Sequence, residues 1–157
     1  MSMMKIGVIS DTHGLFDPRI PDLFAGVEHI LHGGDVGSPA TLTQLEKIAP
    51  TTAVFGNVDV GFALKETELV TLADRKFLLH HIVNPRALDT PLAQRIQRDK
   101  PDVVVFGHTH KPFCERINGV LFLNPGAAGR KRFDLPRCLV VLEANGHELR
   151  VDYKSLV

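Results

Sequence analysis

Lys5-Ile6-Gly7-Val8-Ile9-Ser10-Asp11-Thr12-His13 decides how this chain folds. Its first five residues are a largely apolar run of the length of one buried strand. At its polar end Asp11 and His13 stand two apart, so both can turn to the same side of the emerging loop. Gly14 follows and leaves room beside them. The same design recurs along the chain. His29-Ile30-Leu31 runs into Gly33-Gly34-Asp35, Thr52-Ala53-Val54-Phe55 into Gly56-Asn57, and Val103-Val104-Val105-Phe106 into Gly107-His108-Thr109-His110. A further run, Phe77-Leu78-Leu79, ends in His80-His81. Strands of an open α/β sheet finish at one edge, where their loops form the binding crevice. Donors scattered from Asp11 to His110 therefore meet in space.

Around these runs the patterning alternates. Strands at 4–9, 28–31 and 51–55 are separated by helical stretches near 18–26 and 38–48. Ser38 can cap the second helix, Pro39 suits its first turn, and Leu42, Leu45 and Ile48 recur at helical spacing. This βαβαβ rhythm implies parallel strands with crossover helices. After Asp59 it changes. Residues 67–72 and 76–79 read as a hairpin about Ala73-Asp74-Arg75, residues 88–99 as an amphipathic helix ended by Pro101, and 102–106 as a strand. Asn118-Gly119 is a strong type I′ turn signal between 113–117 and 120–123, and Asn145-Gly146 marks a second hairpin between 138–143 and 148–153. Early parallel units and late hairpins together predict an α/β chain of two mixed sheets packed face to face with helices outside. Phe16, Phe24, Phe62, Phe106 and Phe122 are expected in the core or an interface rather than on a base-stacking platform.

Composition narrows the function. The 157 residues fit one domain, 1–157, with a sizeable core. Eighteen basic and eighteen acidic residues cancel, so general nucleic-acid binding and attraction to anionic membranes are not expected. Cys114 and Cys138 form neither a disulfide framework nor a zinc motif, and the short apolar run after Lys5 suits neither a signal peptide nor a membrane span. A cytoplasmic protein is the expectation.

Asp11, His13, Asp35, Asn57, His80, His108 and His110 are oxygen and nitrogen donors too numerous for one four-coordinate zinc. They suit two metals sharing a carboxylate, as in a binuclear metallohydrolase. Singly, each has a plainer reading: Asp11 as a helix cap, Asp35 or Asn57 as a turn residue, the histidines as local hydrogen-bonding groups. Together, and in this order, Asp11-Thr12-His13, Gly34-Asp35, Gly56-Asn57-Val58-Asp59, His80 and Gly107-His108-Thr109-His110 resemble the D-x-H, G-D, G-N-x-[D/E], H and G-H-x-H motifs of the calcineurin-like metallophosphoesterases. The likeness is to their small single-domain bacterial and archaeal phosphodiesterase branch. It runs from Met4 through Asn124-Pro125-Gly126.

The resemblance implies roles. Asp35 bridges two divalent ions, with Mn expected first and Fe, Zn or Ni as alternatives. Asp11, His13 and His110 hold one ion, and Asn57, His80 and His108 the other. Asp35, Asn57 and His108 carry catalysis. The expected reaction is hydrolysis of a phosphate diester by a hydroxide bridging the metals, on a small phosphate-ester substrate. Asn57 can also turn its NH₂ to a phosphate oxygen. A phosphomonoesterase, a nucleotide pyrophosphatase, or a non-catalytic scaffold like the retromer subunit of this fold are the alternatives, and a homo-oligomer is compatible. Two departures stand out. The family usually has His-Gly where this chain has His80-His81, so His81 is a second candidate for donor or substrate contact. Many members carry a histidine where Val58 stands, placed to protonate the departing oxygen. Asp59 is either an acceptor orienting a ligand imidazole or a turn residue. His29, His32 and His147 are expected to be structural. Arg130-Lys131-Arg132 is either solvated surface or an anion-steering run.

Overall fold

In the computed structural model, which describes residues 2–59, 61 and 63–156, ten strands form two five-stranded sheets. The first sheet has the order β10-β9-β1-β2-β3, from β1 (Met4–Ile9), β2 (His29–His32), β3 (Thr51–Ala53), β9 (Cys138–Ala144) and β10 (Leu149–Ser155). The second has the order β4-β5-β6-β8-β7, from β4 (Thr67–Leu72), β5 (Arg75–His80), β6 (Val103–Val105), β7 (Phe113–Ile117) and β8 (Val120–Asn124). β1, β2 and β3 are parallel, as the early rhythm requires, and the late hairpin β9–β10 adds antiparallel to β1. In the second sheet β5, β6 and β8 are parallel, with β4 and β7 antiparallel at the edges.

Alternation along the strands builds three apolar layers. Between the sheets, Ile6, Val8, Leu31, Val140 and Leu142 meet Phe77, Leu79, Val103, Val105, Leu121 and Leu123. Outside the first sheet, Ile9, Ile30 and Leu139 pack on Ile20 and Phe24 from α1 (Ile20–Leu23) and its end, and on Leu45 of α2 (Pro39–Glu46). Outside the second, Leu78, Val104 and Phe122 pack on Leu92 of α3 (Thr90–Asp99). The two mixed sheets with outer helices are as expected. Phe24, Phe106 and Phe122 are buried and Phe16 partly so, whereas Phe62 lies outside the described residues.

Local chemistry explains the boundaries. Ser38 caps α2 by accepting from the Ala40 amide, and Asp89 caps α3 by accepting from the Leu92 amide. Left-handed Lys100 ends α3 before Pro101. α1 is much shorter than the expected 18–26, because Pro18 and Pro21 remove amide donors and left-handed Gly26 turns the chain. Ala73-Asp74 and Asn118-Gly119 all take positive φ, the geometry of type I′ hairpins. Asn145 works differently. Its side-chain oxygen accepts from the amides of His147 and Glu148, closing a longer loop in place of a two-residue turn. No helix among the described residues is long and apolar enough to cross a membrane.

Gly7 shows how tightly the first outer layer is set. A Cβ there would lie 2.8 Å from the Phe24 ring. Gly7→Ala should therefore destabilise the fold by about 1–3 kcal/mol, the usual penalty of overpacking. Denaturant titration of the two proteins checks this, and equal midpoints would mean that the ring yields freely.

Candidate metal centre

The ends of β1, β2, β5 and β6 bring two triads of donors together. Asp11, His13 and His110 each offer one ligand atom within 4.8 Å of the others, and so do Asp35, His81 and His108. Within each triad the two imidazoles are neighbours, tilted with centroids 5.2 Å apart for His13–His110 and edge to face at 5.4 Å for His81–His108.

Each carboxylate has one oxygen tied down and one turned to the histidines. Asp11 Oδ2 accepts from the Ser10 hydroxyl at 2.7 Å and from the His108 amide at 3.1 Å. Its Oδ1 lies 3.7 Å from His13 Nε2, 3.4 Å from His110 Nε2 and 3.9 Å from His81 Nε2. Asp35 Oδ1 accepts from the Val58 amide at 3.0 Å, and its Oδ2 lies 3.1 Å from His81 Nε2 and 3.6 Å from His13 Nε2. Asp35 thus stands between the triads, in reach of a histidine from each.

Asp11 Oδ1, His13 Nε2, His81 Nε2 and His110 Nδ1 are buried without a hydrogen-bond partner. Such orphans are costly unless something else satisfies them. Three of them, Asp11 Oδ1, His13 Nε2 and His81 Nε2, converge, and a carboxylate with imidazoles is a donor set that fits divalent transition metals. Backbone strain points the same way. Asp11, His13, Asp35, His108 and His110 all have positive φ, a region that non-glycine residues enter at a cost and that clusters at functional sites.

Electrostatics within the centre are mutually adjusted. Burial opposes ionisation of Asp35, but His81 and the Val58 amide outweigh it and hold the carboxyl well below its ordinary range. Burial likewise pushes His81 down, yet Asp35 and Asp11 outweigh it and raise it. His110 is lowered, chiefly by burial. His32, fully buried, is lowered to about 4 by burial and stays neutral. Its Nδ1 accepts from the Gly34 amide and its Nε2 pairs with Thr12 Oγ1, so it is structural, as expected. His29 pairs with Thr52 in the same spirit.

Two expectations need correction. His80 is not with the donors: its Nδ1 is 2.8 Å from Thr67 Oγ1, and the residue beside it, His81, occupies the centre. Strand parity is the reason. Phe77 and Leu79 point between the sheets while Leu78 points towards α3, so His80 shares the side of Leu78 and faces a recess with Asp89, Leu92 and Arg95. His81, the first residue past the strand, is free to turn back over the edge. There its Nδ1 is fixed 2.7 Å from the Gly33 carbonyl oxygen, leaving Nε2 towards the carboxylates. Asp59 makes no hydrogen bond to an imidazole among the described residues. Its carboxylate accepts from the amides of Val36, Gly37 and Gly56, joining the Asp35 loop to the Asn57 loop. Asn57 is exposed and borders a cavity of about 200 Å³ together with Glu66, His80, His81 and Ile82.

Two supports, the Ser10 hydroxyl and the Val58 amide, were not marked in the sequence, whereas the Asn124-Pro125-Gly126 turn was. Ser10 and the Val58 amide orient the carboxylates, while Asn124 donates to Gly107 O and Thr109 Oγ1 and so holds the His108 loop. Gly107 is required by close approach, since a Cβ there would collide with Ser10 Oγ and Asp11 Oδ2. The Asn124-Pro125-Gly126 turn thus braces the centre. Arg130, Lys131 and Arg132 are exposed, and Arg132 adds a positive field at His110.

Residues 4–147 match the calcineurin-like phosphoesterase superfamily domain. The chain belongs to that superfamily. A probable metallophosphoesterase from Methanothermobacter thermautotrophicus is 36% identical over 154 residues, covering 93% of this chain and 89% of that protein. A phosphodiesterase from Methanocaldococcus jannaschii, MJ0936, is 31% identical, over 78% of this chain and 83% of its own. Among solved structures, wild-type Vps29 from Entamoeba histolytica complexed with Zn²⁺ superposes with a TM-score of 0.82 at 27% identity, covering 98% of this chain and 93% of that one. As a calcineurin-like phosphoesterase the chain is a metal-dependent phosphoric ester hydrolase by family, and its donor triads are groups that could bind metal.

The reassignment from His80 to His81 is directly testable. His81→Ala should lower metal affinity and activity at limiting metal by about 10–100-fold or more. His80→Ala should stay within a few-fold on an activated aryl ester. Metal titration and rates of the two variants decide it, and the reverse order would restore His80 to the centre.

Proposed function

We propose that this chain hydrolyses a small phosphate diester with two divalent ions, manganese first among them. Asp11, His13 and His110 would hold one ion, and His81, His108 and Asn57 the other, with Asp35 shared. The observation that carries this reading is the convergence of buried atoms without partners: His13 Nε2 and His81 Nε2 lie beside the Asp35 carboxylate and within 3.9 Å of Asp11 Oδ1. The relative named a phosphodiesterase supports the diester.

When bound, such ions supply an acidified water as nucleophile and positive charge for the phosphoryl oxygens. The chain's own residues prepare the rest. The Ser10 hydroxyl and the His108 amide fix Asp11, and the Val58 amide fixes Asp35, so both carboxylates are oriented before substrate arrives. Asn57, exposed at the cavity edge, can give its amide oxygen to the centre and its NH₂ to a phosphoryl oxygen. The Gly33 carbonyl sets the ring of His81. Six donors in two complete triads, with Asn57 at the edge of the adjoining cavity, support turnover over a scaffold.

Activity on a panel of mono- and diesters should vanish on chelation and return with a transition metal, and loading should approach two ions per chain. Undiminished turnover by protein shown to be metal-free, or full activity at a stable single occupancy, would overturn the reading.

A further inference from the structure

Two recesses open from the donor cluster, and they differ in charge and size. The one beside Asn57 is about 200 Å³ and has the Glu66 carboxylate on its border. The other is about 530 Å³, and among the described residues no carboxylate lines it. Its walls are Ile82, Pro85, Phe106 and Phe113, and its polar border includes His108 and Lys111. Phe106 and Phe113 meet edge to face at 5.9 Å, and Arg86 covers the Phe113 ring with its guanidinium 5.8 Å from the centroid, so this wall is built rather than loose. Ile82 is half exposed, at 50%, directly after the donor His81. A single exposed aliphatic side chain is ordinary on a protein surface. Ile82 is not isolated, because it forms the rim shared by both recesses.

We propose that the larger recess receives one ester arm of the substrate, an apolar ring, while the phosphate lies at the metal donors; this rests on the diester reading above. The argument is one of continuity and complementarity. His108 belongs both to a donor triad and to the recess border, so a group bonded to a phosphate at that triad enters the recess directly. Lys111 favours the single negative charge of a diester, whereas Glu66 disfavours it on the other side. A polyphosphate arm would carry further charge onto the apolar faces of Ile82, Pro85, Phe106 and Phe113, which is unfavourable, whereas a ring covers those faces and leaves the polar groups at the border to the phosphate. The volume lies within the range of ligand sites, which are largely apolar with a few placed polar groups. Ile82, Phe106 and Phe113 therefore set specificity for ring-bearing diesters.

The test uses two diesters that release no p-nitrophenolate, methyl phenyl phosphate and dimethyl phosphate, as competitors of bis(p-nitrophenyl) phosphate in initial-rate assays too short to deplete either. The phenyl compound should bind about tenfold tighter or more, as expected for burying a ring. That ratio should collapse in Ile82→Ser, a change at an exposed position that leaves the fold intact. Independently of turnover, methyl phenyl phosphate should shift the Ile82 methyl resonances of protein loaded with a diamagnetic divalent ion, and dimethyl phosphate should not. Equal inhibition by both compounds with unmoved Ile82 signals overturns the recess while leaving the diesterase intact. Shifted signals in a protein that cleaves no diester would instead sink the reaction and keep the recess.

Discussion

Asp35→Asn should abolish most of the activity, on the order of 10³-fold in kcat/KM, and should reduce loading at both metal positions together. The substitution is nearly isosteric. An asparagine oxygen can still accept from the Val58 amide, the contact that fixes Asp35 Oδ1 at 3.0 Å. What is lost is the negative charge at Oδ2, which lies 3.1 Å from His81 and 3.6 Å from His13 and so serves both triads. Two cations held close need a shared anion between them. His13→Ala removes one neutral donor from one triad and should cost far less at saturating metal. Circular dichroism should show both variants folded, since these side chains sit on loops beyond the strands. If Asp35→Asn kept most activity while Asp11→Asn removed it, the bridge would belong to Asp11. Its Oδ1 is the alternative, lying 3.4 to 3.9 Å from three histidines.

Most of the architecture was readable because each signal was local. Apolar runs bounded by glycine or proline gave the strands, Ser38-Pro39 gave a helix start, and Asn118-Gly119 gave a hairpin. The chain did not reveal which of two adjacent histidines faces the centre. A strand turns successive side chains to opposite faces, so a one-residue uncertainty in where β5 ends decides between His80 and His81. Nor could the sequence show that Asp59 serves three backbone amides, because an amide is the same at every position and carries no residue signature. The positive φ of Asp11, Asp35 and His108 was hidden for the same reason. Those residue types give no sign of strain until surrounding loops impose it. Gly107 read as a loop residue, whereas its role is to let the His108 loop lie against Ser10 and Asp11.

Val58 carries the second large effect. Its amide already serves Asp35, and its exposed side chain has no proton to give a departing oxygen. General acid help is typically worth about 10²–10⁴-fold and matters most when the leaving group is a strong base. The rate should therefore fall steeply as the leaving-group pKa rises, with phenolic diesters far ahead of alkyl ones. Val58→His should speed alkyl diesters selectively and flatten that slope, leaving phenolic diesters nearly unchanged. The backbone contact to Asp35 is independent of the side chain, so the substitution tests proton donation rather than the integrity of the centre. His81 is not placed to supply the proton, because its Nε2 faces the Asp11 and Asp35 carboxylates and its Nδ1 the Gly33 carbonyl. A flat dependence in the wild type, measured with the chemical step rate-limiting, would mean that another acid is at work. His80 and Glu66 border the Asn57 cavity, and His80→Ala and Glu66→Gln would then separate them by which one steepens the slope.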